Sequence, residues 1–310
     1  MTSTTTSSPG VVVEQTIFSF TARPGMATNL NLLPALALLL LILPTNLSAG
    51  TNSVTACGTV ITTAGTWKLT NNLTCSGDAV EIQISSVNLK LNGFTITGPG
   101  ADSGSAHGIL IASSAGTGLK SVTILGPGTV TAFPEGVIFN GTHGGGVVDV
   151  NLTSNGIGLV LNSDNLGAAS TALLVSQNNL QKNDIGIDAG SLTSSTIAGN
   201  NCSGNHDGID LLAGSGNKLL GNTCSNNTHA GITLGGSGST GSAGNTLEGN
   251  RTSNNTFYGI FLGPAADDDH LIGNVALGNH FLDINDENSN CGSDTYVSDV
   301  FGTADESCVK

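Results

Sequence analysis

Residues 200–234 read NNCSGNHDGIDLLAGSGNKLLGNTCSNNTHAGITL and hold one motif twice. A Gly-Asn pair is followed by a Cys, an Asn-rich turn, and a Gly trailed by alternating apolar residues. Gly208-Ile209-Asp210-Leu211 in the first copy becomes Gly231-Ile232-Thr233-Leu234 in the second. Alignment on that Gly extends the series to Gly108, Gly136, Gly158, Gly186, Gly208, Gly231 and Gly259, with Phe281 in the eighth place. The steps are 28, 22, 28, 22, 23, 28 and 22 residues. A period of this size marks a solenoid, whose units bury their apolar faces only against neighbouring units.

Residues one and three after each Gly are apolar, as in Ile187 and Ala189, Ile209 and Leu211, Ile260 and Leu262. Strand alternation turns these inward and the residue between them outward. The expected fold is therefore all-β: a right-handed parallel β-helix of roughly nine coils with disulfide-tied ends. At about 4.8 Å per coil it forms a rod ~40 Å long. Asn200, Asn222, Asn250 and Asn274 each follow a Gly, and Asn155, Asn183 and Asn205 each stand three before an anchor. Stacked amides of this kind form structural ladders.

The expected organisation is a Ser/Thr-rich leader and signal segment at 1–49, then N-terminal strands and cap at 50–105. Regular coils follow at 106–284, and a disulfide-tied cap at 285–310. Leu30 to Leu43 is almost wholly apolar. That is short for a membrane span and fits a secretory signal cleaved between Ser48 and Ala56, leaving no span afterwards. The chain is then secreted, periplasmic or on the cell surface. Its six Cys suit an oxidising compartment. Cys57 with Cys75, and Cys291 with Cys308, would each close a short loop at one end. Cys202 and Cys224 are stacked equivalents in adjacent coils, so a bridge and two buried thiols are both open.

Formal net charge is −14, with eight Lys and Arg against 22 Asp and Glu. One residue of each sign, Arg23 and Glu14, falls in the leader, so the remainder keeps the full −14. That disfavours nucleic acid and anionic lipid as partners, because both need a basic face. Polyanionic glycans are disfavoured for the same reason unless a cation mediates.

The Asn-x-x-Gly-Ile copies resemble the pectin-lyase-like superfamily of right-handed parallel β-helices, of the carbohydrate-binding and sugar-hydrolase repeat type. The opening Cys57-Gly-Thr…Leu73-Thr-Cys75…Leu89-Lys-Leu-Asn-Gly93 and the closing Asn290-Cys291…Phe301-Gly-Thr-Ala304…Cys308 add to the likeness, which spans roughly 57–308. It implies polysaccharide as partner. Asn205-His206-Asp207-Gly208-Ile209-Asp210 is similar to the first polygalacturonase motif with His for Thr. The Asp pair and Arg-x-Lys of that family are absent, as is any recognisable lyase base motif. Another relative helps mature the copper site of nitrous oxide reductase. The sole Met residues, Met1 and Met26, lie in the leader, which speaks against soft copper(I) ligation.

By column, the outward residue two after each anchor runs Leu110, Ile138, Val160, Asp188, Asp210, Thr233, Phe261, Asp283. The residue two before runs Asp184, His206, His229, Phe257. Candidate catalytic residues are Asp207, Asp210, Asp188 and His206. Candidate substrate-binding residues are Asp184, His229, Phe257, Tyr258 and Phe261. Carboxylates on neighbouring coils stand near 5 Å apart, which suits acid–base chemistry or calcium binding, and the aromatics offer sugar-stacking surface. Asp267-Asp268-Asp269-His270 is either a cation ligand set or a solvated loop. His107, Glu135 and His143 show no partners at a metal spacing. Leu110, Ile138 and Val160 form an exposed apolar strip, suited to a partner or to self-association, unless the N-terminal segment covers it.

The reading that unites these features is an exported β-helix that binds polysaccharide along one face, with cleavage left open. A non-catalytic structural or adhesive surface protein is the alternative, and a calcium-dependent lyase or hydrolase a further one.

Overall fold

In the computed structural model, residues 52–235 and 241–309 are described. The leader, its signal segment and both Met residues lie outside them, as does part of the Gly235–Gly244 loop. Among the described residues no helix is long and apolar enough to cross a membrane.

Short strands coil into a parallel stack with a 10-stranded, a 13-stranded and a 4-stranded sheet along its length. A 2-stranded pair, Val275–Ala276 with Val300–Phe301, closes the far end. The 10-stranded sheet carries the Gly-anchored motif. Its inward column runs Ile109, Val137, Leu159, Ile187, Ile209, Ile232, Ile260 and Ile284, each fully buried. Burying each such side chain contributes about 1.5–3 kcal/mol, so the column is a main source of cohesion between coils. Residues 52–105 join the same sheets: Thr59–Ile61 and Val80–Ile82 pair in turn, then meet His107–Ile111. Trp67 is not on an edge, because its strand Gly65–Leu69 is paired on both sides.

The anchor Gly is required by close approach. A Cβ added at Gly208 would stand 2.3 Å from the Gly231 carbonyl oxygen and 2.9 Å from the Cys224 Cβ. The series ends two residues later than the spacing suggests. Tyr258 pairs with Leu282 and Ile260 with Ile284, so Asp283, not Phe281, takes the eighth anchor place. The last outward position therefore belongs to Asn285. A side chain is tolerated at this final anchor because Asp283 ends the ladder: Oδ1 accepts from Asn279 and Oδ2 from the Gly302 and Thr303 backbone amides.

Three amide ladders run through the interior. In one, the Asn200 backbone N–H and side-chain Nδ2 both donate to Asn222 Oδ1 at 3.0 Å, and Asn222 repeats this to Asn250. The column continues through Asn274 to Asp299. A second climbs from Asn155 through Asn183, Asn205, Asn227 and Asn255 to Asn279 and Asp283. The third begins at Ser195 and passes Asn217 and Asn245 to Asp269 and Asp294. All three end in Asp, which accepts from the last Asn without needing a further acceptor.

Cys57–Cys75 and Cys291–Cys308 are disulfides across separations of 18 and 17 residues. Loops of that size each add about 3 kcal/mol in the chain-entropy account. Cys202 and Cys224 are free and fully buried, and burial pushes the Cys224 thiol well up.

Candidate functional site

The coils carry three outward columns side by side on the 10-stranded sheet. The first holds Asp184, His206, His229, Phe257 and, unanticipated from the sequence, Phe281. Their backbones are fixed in register: His206 N donates to the Asp184 carbonyl, His229 N to His206, Phe257 N to His229 and Phe281 N to Phe257. The rings stack in the same order, with centroids at 5.1 Å for His206–His229, 5.5 Å for His229–Phe257 and 4.9 Å for Phe257–Phe281. A second stack, Tyr258–Phe261 at 5.0 Å, flanks the first. Phe281 and Phe257 are 55% and 39% exposed, so these ring faces look onto solvent.

Asp207 stands beside the first column and is buried. Its Oδ2 lies 2.7 Å from His206 Nδ1 and its Oδ1 2.7 Å from His229 Nδ1, while Oδ1 also accepts from the Ala230 backbone N–H. One carboxylate thus joins two imidazoles from successive coils. Among the described residues, His206, Asp207 and His229 are the one trio of His, Cys, Asp or Glu whose ligand atoms all fall within 4.8 Å of one another.

Asp188 and Asp210 are direct register partners in the central outward column, with Thr233 next in line. The Asp210 carboxyl is pushed up to about 7, first by burial and then by the charges of Asp207 and Asp188; the Thr233 hydrogen bond and His206 oppose this. Asp188 is raised by burial and by Glu135. Asp184 is exposed and contributes its carbonyl rather than a carboxylate contact.

The sequence-expected residues therefore gather on one face, yet as two groups. Asp207 belongs to the imidazoles, and Asp188 with Asp210 forms a separate carboxylate pair. Neither group offers the roughly six to eight oxygens that calcium takes. The other residues singled out by the sequence are placed as well. Ile138 and Val160 are buried, and Leu110 half-buried, so the strip is not an open apolar surface. His107 lies between two carboxylates, with Nδ1 3.0 Å from Asp78 Oδ1 and Nε2 3.3 Å from Glu135 Oε2. Asp269 is neither solvated nor free to ligate, since it continues an amide ladder. His270 Nδ1 meets Thr295 Oγ1 at 2.8 Å.

Comparison with known proteins agrees with this architecture. A model of the NosD family, described as periplasmic copper-binding protein, matches residues 163–289. No curated protein sequence matches the chain. The A-module of the Azotobacter vinelandii mannuronan C-5 epimerase AlgE4 is a similar solved structure, at 16% identity and TM-score 0.56 over 78% of this chain and 80% of that one. The Dettilon tailspike protein is similar at 15% identity and TM-score 0.59, over 81% of this chain and 51% of its own. A double mutant of the periplasmic alginate epimerase AlgG aligns at 16% identity and TM-score 0.54, over 80% and 73%. At such identities the likeness concerns the fold. The chain is a right-handed parallel β-helix protein.

The copper in the NosD description can be tested against the residues present. Copper(I) favours thiolate and thioether. The two free thiols are sealed in the core, and no Met lies among the described residues. The imidazole–carboxylate trio fits a harder, divalent ion instead.

Proposed function

We propose that this chain is an exported protein that binds a neutral polysaccharide along the outer face of its 10-stranded sheet. The observation that carries the reading is a ring cluster on two adjacent coils: exposed Phe257 and Phe281 stack along the coil axis, and half-buried Tyr258 and Phe261 stack beside Phe257 on its own coil. Aromatic faces repeated at coil spacing suit successive sugar rings, whose C–H faces are apolar. Net charge of −14 and the carboxylates beside the rings favour neutral over acidic glycans. Two disulfides, together with a family and a structural relative both described as periplasmic, support a periplasmic or extracellular location.

The test is binding of the purified protein to a panel of neutral and acidic polysaccharides by affinity electrophoresis and calorimetry. Phe257→Ala with Phe281→Ala should weaken the neutral ligand about tenfold or more while the fold persists, because each ring contributes ~0.5–1.5 kcal/mol. Folded wild-type protein that binds no glycan would overturn the proposal and leave the structural rod as the better account.

Processing is a second reading, favoured by the Asp188–Asp210 register pair. Strands about 4.8 Å apart bring the two carboxyls near the ~5–5.5 Å separation of retaining glycoside hydrolases. In that reading Asp210 protonates the leaving oxygen and Asp188 is the nucleophile. New reducing ends released by wild type and abolished in both Asp188→Asn and Asp210→Asn are the expected result; release that survives either change removes the pair from the chemistry.

A further inference from the structure

The geometry points to a divalent transition-metal site formed by His206, Asp207 and His229, with copper(II) or zinc(II) as the ion held. Three observations converge. Both Nδ1 atoms face the same carboxylate at 2.7 Å, one on each oxygen, so the donors of two successive coils already meet at one point. The carboxylate is pinned from below by the Ala230 backbone N–H and is itself buried, whereas the imidazoles are about half exposed. The site is thus anchored inside and open outside. Backbone hydrogen bonds from His206 to Asp184 and from His229 to His206 hold the two rings parallel, so little ordering remains to be done on binding.

The donor set selects the class of ion. Two imidazole nitrogens and one carboxylate suit zinc and copper(II), while calcium and magnesium prefer all-oxygen shells. Three protein ligands leave a coordination position open to water or to a ligand on the outer face. In the metal-free chain each Nδ1 hydrogen-bonds to one oxygen of Asp207. The ring stack continues directly from His229 to Phe257, so the ion would sit at one end of the aromatic run. The inference is independent of the glycan reading, since it rests on the imidazoles and Asp207 rather than on the phenyl rings.

The experiment uses tag-free protein, equilibrated separately with Cu2+, Zn2+ and Ca2+. Retained metal is measured by elemental analysis, affinity by competition with a chelator, and the copper environment by electron paramagnetic resonance. Wild type should retain one Cu2+ or Zn2+ per chain and no Ca2+, and the copper spectrum should show coupling to two nitrogens. His206→Ala or His229→Ala should lower affinity roughly 100-fold and reduce the coupling to one nitrogen, judging by losses of 10–100-fold when even supporting residues are removed. Asp207→Asn should also weaken binding. His270→Gln, on the other side of the rod in the 13-stranded sheet, should change nothing. Thermal melts accompany every variant; because both imidazoles are outside the core, their removal should leave the fold intact, and Gln variants replace the Ala ones if it does not. Copper or zinc held equally well by the folded His206→Ala/His229→Ala double variant, or not held by wild type, would overturn the site. Phe257→Ala with Phe281→Ala should keep the metal while losing glycan, so the two proposals fail separately.

Discussion

Two adjacent columns of this rod obey different rules. Asn155, Asn183, Asn205, Asn227, Asn255 and Asn279 line the interior, one amide per coil and the same residue each time. One or two residues further along, on the outside, stand Asp184, His206, His229, Phe257 and Phe281. Both columns stack at the same coil spacing and both are held by backbone hydrogen bonds. The inner one repeats because each Asn Oδ1 accepts the backbone N–H of the coil before it, and the Nδ2 of Asn183, Asn205 and Asn279 donates back to a carbonyl of that same coil. The outer one is free to vary, since water satisfies whatever stands there. Variation that nonetheless yields stacked rings and a shared carboxylate is therefore a sign of use rather than of assembly.

The largest effect should come from interrupting an interior amide ladder, here the parallel one through Asn200, Asn222 and Asn250. Asn222→Leu would leave the Asn200 backbone N–H and side-chain amide without their acceptor, and the Ile197 carbonyl without its donor, all in the core. Each buried donor left unpaired costs about 1–3 kcal/mol, so the variant should lose roughly 4 kcal/mol. At ~2–4 °C per kcal/mol for a chain of this size, its melting midpoint should drop on the order of 10 °C. A midpoint unchanged in calorimetry would show that the ladders are ornamental.

A second effect sharpens the comparison at the ladder ends, where Asp replaces Asn. Asp269 is pushed up to about 6 and Asp294 to about 7, in both cases chiefly by burial. The folded chain therefore holds more protons than the unfolded one between about pH 4 and pH 7. The stability these groups contribute is complete below pH 4 and is lost as pH rises through 6 to 7. Melting midpoints should accordingly fall from pH 5 to pH 8. Asp269→Asn should flatten that slope and recover about 1–2 kcal/mol at pH 8, because its new amide donates to Asp294 as Asn245 donates to Asp269. An unchanged slope would place the titration elsewhere.

The same contrast explains what could be read beforehand. Columns set by assembly announce themselves in one dimension: the anchor Gly, the apolar pair behind it and two of the three Asn ladders recur at the coil period. The third ladder is hidden because it starts at Ser195 and ends in Asp269 and Asp294, so no single residue type marks it. The spacing alone sets the final coil two residues early, because Asp283 stands where the motif has Gly, and this hides Phe281 as the last ring of the stack. On the outer face, spacing placed His206, Asp207 and His229 on neighbouring coils. That Asp207 turns to the two imidazoles, away from Asp188 and Asp210, depends on side-chain rotamers, which periodicity does not carry. Likewise His107 and Glu135 sit one coil apart across a step of 28 residues, and their pairing emerges only with the strand register.

The smallest effect on the fold should come from the outer column, and this is where the comparison is most exposed to failure. Phe281→Ser removes a ring that is more than half exposed and stacked on one neighbour, Phe257, with Tyr258 at its edge. Surface changes of this kind usually stay within about 0.5 kcal/mol, although losing the aromatic contact adds up to ~1 kcal/mol. The melting midpoint should move by no more than ~6 °C, while retention on a neutral glycan in affinity electrophoresis falls severalfold. A variant that melts far below wild type would make Phe281 a structural residue, capping the end of the stack as Asp283 ends the amide ladder. One that melts normally and binds normally would shift the glycan surface toward Tyr258 and Phe261. Only the combination of near-native stability and lost binding separates the outer column from the inner one by function as well as by sequence.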